Sequence, residues 1–163
     1  MVRKALILVL FACACGSDSP ANVAGTYTLS LAVQQNECGI LGGSVGDTSS
    51  GVEIIVTQTG AEAIAQVQGV AGVLVAGAMG TATFTGRVEG NSLDLSIHGT
   101  MGGSSGTCDF TRNARLLAKL SGDVLSGSVI YTFSTDKTAD CGTRDTCRDI
   151  QVFNGTRPPT VSP

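Results

Sequence analysis

Thr81-Ala-Thr-Phe-Thr-Gly-Arg-Val-Glu-Gly-Asn-Ser-Leu-Asp-Leu-Ser-Ile-His98 holds two runs of alternating residues on either side of Gly90-Asn91. Before the turn, Ala82, Phe84, Gly86 and Val88 alternate with three threonines and Arg87. After it, Leu93, Leu95 and Ile97 alternate with Ser92, Asp94, Ser96 and His98. A period of two puts each set on one face of an extended chain. Glycine and asparagine between two such runs suit a two-residue hairpin.

Working outward, the same alternation spans residues 25–33, 52–59, 62–68, 107–120, 123–133 and 147–153, making eight segments with 81–89 and 92–98. Their apolar faces carry Tyr27, Leu29, Leu31 and Val33; Val52, Ile54 and Val56; Ala63, Ala65 and Val67; Ala114, Leu116, Ala118 and Leu120; and Leu125, Gly127, Val129, Tyr131 and Phe133. Three connections are tight, at Gly60-Ala61, Gly90-Asn91 and Gly122-Asp123; residues 34–51, 69–80, 99–106 and 134–146 make the other four long. Long and tight connections alternate, so every tight turn falls at one end of a meander and every long loop at the other. That order predicts an all-β fold, an eight-stranded antiparallel up-and-down β-barrel whose closure removes exposed edges. The alternative is a β-sandwich. Gly86 and Gly127 inside strands mark places where a barrel wall bends.

Gly25-Thr26-Tyr27, opening the first segment, resembles the lipocalin Gly-x-Trp start, with Tyr27 in place of the tryptophan. Eight meander strands with one loop-rich mouth are likewise similar to lipocalin-like barrels. The resemblance implies a late arginine packed across the Tyr27 ring, for which Arg148 is the candidate. It bears on architecture, and function does not follow from architecture alone.

Met1 to Cys15 has a basic head at Arg3 and Lys4, an apolar stretch from Ala5 to Ala14, and a cysteine after a small residue. This is the layout of a secretory signal, too short for a permanent membrane helix. It resembles a bacterial lipoprotein signal, which implies lipidation of a cysteine and a membrane-anchored protein of the cell envelope. Cys15 is favoured, because cleavage there leaves Cys38, Cys108, Cys141 and Cys147 as an even set. Cys13 is the alternative, with Leu10 three residues before it. An ordinary cleaved signal without lipid is the third reading. The expected organisation is a signal at 1–14, a tether at 15–24, the barrel at 25–155 and a proline-rich tail at 156–163.

Without Arg3 and Lys4 the chain has 8 basic and 13 acidic residues, a net charge of −5. Such a balance, with no basic cluster, opposes nucleic-acid binding. Trp is absent and Gly reaches 22, a mixture that fits short strands between glycine turns. The four later cysteines lie in or beside the long connections, where disulfides staple loops. Cys141 with Cys147 is the expected bridge, leaving Cys38 with Cys108; a zinc site lacks any Cys-x-x-Cys pair.

Gly69-Val-Ala-Gly-Val-Leu-Val-Ala-Gly-Ala-Met-Gly80 is an apolar connection at the mouth, where water is expected. It reads as a short extra strand or a lid on the core, or as an apolar lip of Val73, Leu74, Val75 and Met79 around a ligand. Tyr131 and Phe133 would complete the binding wall. Small inward residues such as Ala63, Ala65 and Ala114 leave room inside a barrel of borderline capacity.

His98 is the single histidine and reads as a surface residue, and Gly102-Gly-Ser-Ser-Gly106 reads as flexible loop. Asp136, Asp140, Asp145 and Asp149 interleave with Lys137, Arg144 and Arg148 and read as a solvated, salt-linked loop rather than a calcium site. No catalytic constellation, metal site or cofactor motif emerges. The expectation is a non-enzymatic, lipid-anchored barrel binding a small apolar ligand or an envelope partner through its disulfide-tied end. The alternative is a structural envelope lipoprotein with a filled barrel and no specific ligand.

Overall fold

Three two-residue turns set the geometry of the chain: Gly60, Gly90 and Gly122 have φ of 60°, 54° and 60°, and no non-glycine residue among the described residues has positive φ. Glycine first and an ordinary residue second is the tight hairpin whose twist matches its strands. The structure, a computed structural model, describes residues 19–136 and 141–159. The signal, Cys13, Cys15, Asp140 and the tail beyond Pro159 lie outside the described residues.

The elements are β1 (Gly25–Asn36), β2 (Thr48–Thr59), β3 (Glu62–Val67), α1 (Gly69–Met79), β4 (Thr83–Glu89), β5 (Ser92–Ser105), β6 (Cys108–Ser121), β7 (Val124–Thr135) and β8 (Asp149–Thr156), with a 3₁₀ turn at Gly142–Asp145. Each strand pairs antiparallel with its sequence neighbours, and β1 also pairs with β8, closing an eight-stranded up-and-down barrel. Closure rules out the sandwich. Gly86 and Gly127 do sit where strands crowd: a Cβ on Gly127 would lie 2.0 Å from the Leu117 carbonyl oxygen, and one on Gly86 2.1 Å from that of Asp94.

The interior is the alternating apolar set. Tyr27, Leu29, Ile54, Val56, Phe84, Val88, Leu93, Leu95, Ile97, Leu116, Leu125 and Phe153 are all buried. Burial of each large side chain contributes about 1.5–3 kcal/mol. By contrast, the Arg115–Asp94 ion pair on the outer wall has side chains 58% and 51% exposed, so solvent screens it and it adds little. The barrel is held by its lining.

Four expectations are corrected. The connection at 99–106 is not a loop: β5 and β6 run on as a long hairpin, from a bulge between His98 and Gly102 to a two-residue turn at Gly106-Thr107. It still turns back at the mouth, so the polarity of the meander holds. The 69–80 segment is neither strand nor loop but helix α1, ended by Gly80 in the left-handed conformation. The ends are not loose up to Ala24 or from residue 156: Val23 and Arg157 are buried. Finally, the disulfides are Cys38–Cys147 and Cys108–Cys141.

The register explains the pairing. Asn36 stands opposite Asp149 where β1 meets β8, and the ladder continues through Glu37 N–H donating to the Arg148 carbonyl. One step further, Cys38 faces Cys147 across the seam that closes the barrel. Cys108 opens β6 beside the end of β7, where Asp136 N–H donates to the Asp109 carbonyl. Cys141, which immediately precedes the 3₁₀ turn, pairs with Cys108. The short Cys141-to-Cys147 loop lost because two different strand seams present a partner to each cysteine.

At the closed end, Arg157 carries the role expected of Arg148. Its guanidinium lies over the Tyr27 ring, 5.6 Å from the centroid, and donates to the Ala24 carbonyl, the Asn22 carbonyl and the Asp123 carboxylate. Tyr27 in turn donates to the Val23 carbonyl. Arg148 lies at the other pole, where its backbone N–H donates to Glu37 Oε2.

Candidate functional site

Helix α1 leaves the barrel after β3 and re-enters at β4, its two ends pinned by Gln68 N–H to the Glu53 carbonyl and Val67 N–H to the Ala82 carbonyl. Three glycines and three valines within its eleven residues make it a poor helix by intrinsic propensity, so packing must hold it. Gly72, Val75, Ala78 and Met79 face the barrel and are buried, whereas Val70, Val73 and Leu74 face outward. Gly72 allows the contact, since a Cβ there would lie 2.4 Å from the Val67 carbonyl oxygen. α1 is therefore a roof over the barrel mouth.

Beneath it lies a cavity of about 170 Å³. Ala71, Leu74 and Val75 of α1 form the ceiling; Leu29, Leu31, Val52, Ile54 and Val67 line one wall, and Phe84, Leu116 and Val129 the other. Leu41 reaches in from the β1–β2 loop, and Ser49, Tyr131 and Gln151 supply the polar atoms. Leu74 is 63% exposed while lining the cavity, which places it at the rim. Tyr131 donates to Gln151 Oε1 at 3.3 Å across the β7–β8 seam. Burial pushes the Tyr131 phenol well above its ordinary range, and the nearby Asp149 carboxylate adds to this. A neutral phenol whose hydrogen is engaged still offers its oxygen as an acceptor, and the Gln151 amide offers donors.

Of the six binding residues expected from sequence, the cavity brings together Leu74, Val75 and Tyr131. Val73 points to solvent, 72% exposed. Met79 is fully buried as part of the plug beside the cavity, and Phe133 packs edge-on against Phe110, ring centroids 5.2 Å apart. Leu41, Ser49 and Gln151 were not signalled, since they come from a long loop, the start of β2 and a weakly alternating last strand.

The mouth is held open to one shape by the two disulfides and by Asp149. That aspartate is buried and accepts backbone N–H groups of Cys38 at 2.6 Å, Gly39 at 3.3 Å and Ile40 at 2.8 Å. It is a loop anchor, not part of a solvated acidic run. Asp145 accepts from the Thr135 hydroxyl. No group of metal-ligating side chains occurs among the described residues, and His98 is exposed on β5.

The chain matches no known protein-family model, no curated protein and no solved structure. What the cavity can hold follows from its own walls.

Proposed function

We propose that this protein is a non-enzymatic carrier or sensor of a small apolar molecule, held beneath α1 in the disulfide-tied mouth of its barrel. The apolar cavity of about 170 Å³ carries this reading. It lies below the usual range of roughly 300–1,000 Å³ for drug-sized ligands. It is close to the engineered dry cavities of about 150 Å³ that take up benzene. A six-carbon ligand suits it. Each methylene removed from water contributes about 0.8 kcal/mol, so such a chain brings on the order of 5 kcal/mol before the cost of association. Affinity no tighter than the millimolar range follows. Binding is favoured over catalysis because the polar wall is a neutral tyrosine, a glutamine and a serine, groups that orient a ligand but do not move protons near neutral pH.

We place the protein in a bacterial cell envelope, anchored by lipid on Cys15, with Cys13 as the alternative. The signal-like N-terminus and the two disulfides support an oxidising, extracytoplasmic setting. Ala21 N–H donates to the Gly90 carbonyl at the closed end. An anchor at Cys15 would therefore hold that end toward the membrane and turn the mouth outward, toward ligand or a second envelope component.

Organic extraction of the purified full chain followed by mass spectrometry tests the carrier reading. A stoichiometric small apolar compound supports it. An empty protein that also fails to take up hexanol or benzene at millimolar concentration would favour the purely structural envelope role.

A further inference from the structure

We infer that the ligand is an acid: a small apolar carboxylate whose head group pairs with Arg112. This rests on the cavity-binding reading and narrows it to one chemical class.

Arg112 belongs to the inward row of β6, in sequence with Ala114, Leu116 and Ala118. Its register partner on β7 is Phe133, one step above the Ala114–Tyr131 pair, so its stem begins a layer above a tyrosine of the cavity wall. From the roof side it meets α1. Arg112 Nη1 donates to the Ala78 carbonyl at 3.3 Å, and Ala78 follows the cavity-lining Val75 by one helical turn. That long contact is the one hydrogen bond its guanidinium makes among the described residues. Its Nε is buried and has no partner, and no carboxylate of the described residues lies within ion-pair distance.

The buried guanidinium of Arg157 shows what this group lacks. Arg157 has the Asp123 carboxylate and two carbonyls around it. A guanidinium carries five donors in a planar fork that matches a carboxylate two bonds at a time. Leaving a buried charged donor unmatched is unfavourable, and no carboxylate of the described residues forms an ion pair here. Holding the carbonyl end of α1 needs only Nη1. The remaining donors, on a side chain rooted one layer above Tyr131 of the cavity wall, call for an anion that arrives with an apolar tail.

Hexanoate and hexanol are titrated into the oxidised full chain, wild type and with Arg112→Met or Arg112→Lys, and followed by methyl NMR shifts. The wild type should bind hexanoate about 10- to 100-fold more tightly than hexanol, the span of a hydrogen bond to a charged group. Arg112→Met should bring the two ligands within about threefold, and Arg112→Lys should restore part of the preference. Equal wild-type affinity for both ligands, or a preference that survives Arg112→Met, overturns the role of Arg112 and leaves cavity binding standing. Binding of neither ligand overturns both. Should Arg112→Met fail to fold, the wild-type comparison alone decides.

Discussion

Arg157 lies across the ring of Tyr27 and joins the first strand of the barrel to the last, although 129 positions separate the two residues. The same guanidinium bonds the carbonyls of Asn22 and Ala24 and the Asp123 carboxylate, so one side chain ties the N-terminal segment, a hairpin turn and the C-terminal strand. Arg157→Met should lower unfolding free energy by about 2–4 kcal/mol, since it removes a buried guanidinium that donates to two carbonyls and a carboxylate. Arg148→Met, at the opposite pole, should stay within about 0.5 kcal/mol. Denaturant unfolding of both variants gives the comparison; equal effects would refute the latch.

Peptide mapping without reductant should recover Cys38 linked to Cys147 and Cys108 linked to Cys141, in a chain lighter by four hydrogens than its reduced form. The bridges span 109 and 33 residues, which corresponds in the chain-entropy picture to about 5 and about 4 kcal/mol at most. Replacing either pair with serine should therefore lower the melting temperature strongly, and the Cys38–Cys147 pair at least as much as the other. Recovery of a Cys141–Cys147 peptide would contradict the register at the barrel seam.

The chain has two tyrosines, Tyr27 and Tyr131, and burial raises the phenol of each above its ordinary value near 10. The fold therefore favours the neutral phenols. Their contribution to stability is complete below the ordinary range and is lost as pH rises through the raised values. Absorbance at 295 nm should show less than half of the tyrosine ionised at pH 10 in the native protein. It should then rise together with alkaline unfolding, and follow an ordinary curve in denaturant. Half-ionisation at pH 10 in the native state would show that neither ring is sealed in.

Ala71→Leu adds apolar volume to the cavity ceiling without moving a polar group. It should leave stability unchanged or raise it by up to about 1 kcal/mol, and it should abolish uptake of hexanol. Loss of stability by more than about 2 kcal/mol would mean that the space under α1 is already full.

The barrel was legible because period-two alternation survives in almost every strand, and because glycine sits at the turn positions that need it. Tyr27, Leu95 and Val129 could be assigned inward from spacing alone. α1 was not legible, for a physical reason: Val70, Val73 and Leu74 are as apolar on the outside as Val75 and Met79 are within. With no polar face, the helical period leaves no trace. Val73 and Met79 were misplaced on the same account, since without the helix nothing distinguishes rim from plug. The disulfides were misread because loop length was weighed without the β1–β8 register, which brings Cys38 to Cys147. Arg112 escaped notice because one cation within an inward row looks like an ordinary break in alternation until its missing partner is seen.

The central claim is that a small apolar ligand lies between α1 and Tyr131, inside the barrel. Intermolecular NOEs from hexanol, titrated into methyl-labelled protein, test it directly. The account predicts NOEs to the methyls of Val75, Leu116 and Val129 and none to Val70 or Val73, and in Ala71→Leu every one of these signals should vanish. NOEs confined to the outer face of α1, or shifts that persist unchanged in Ala71→Leu, would contradict it.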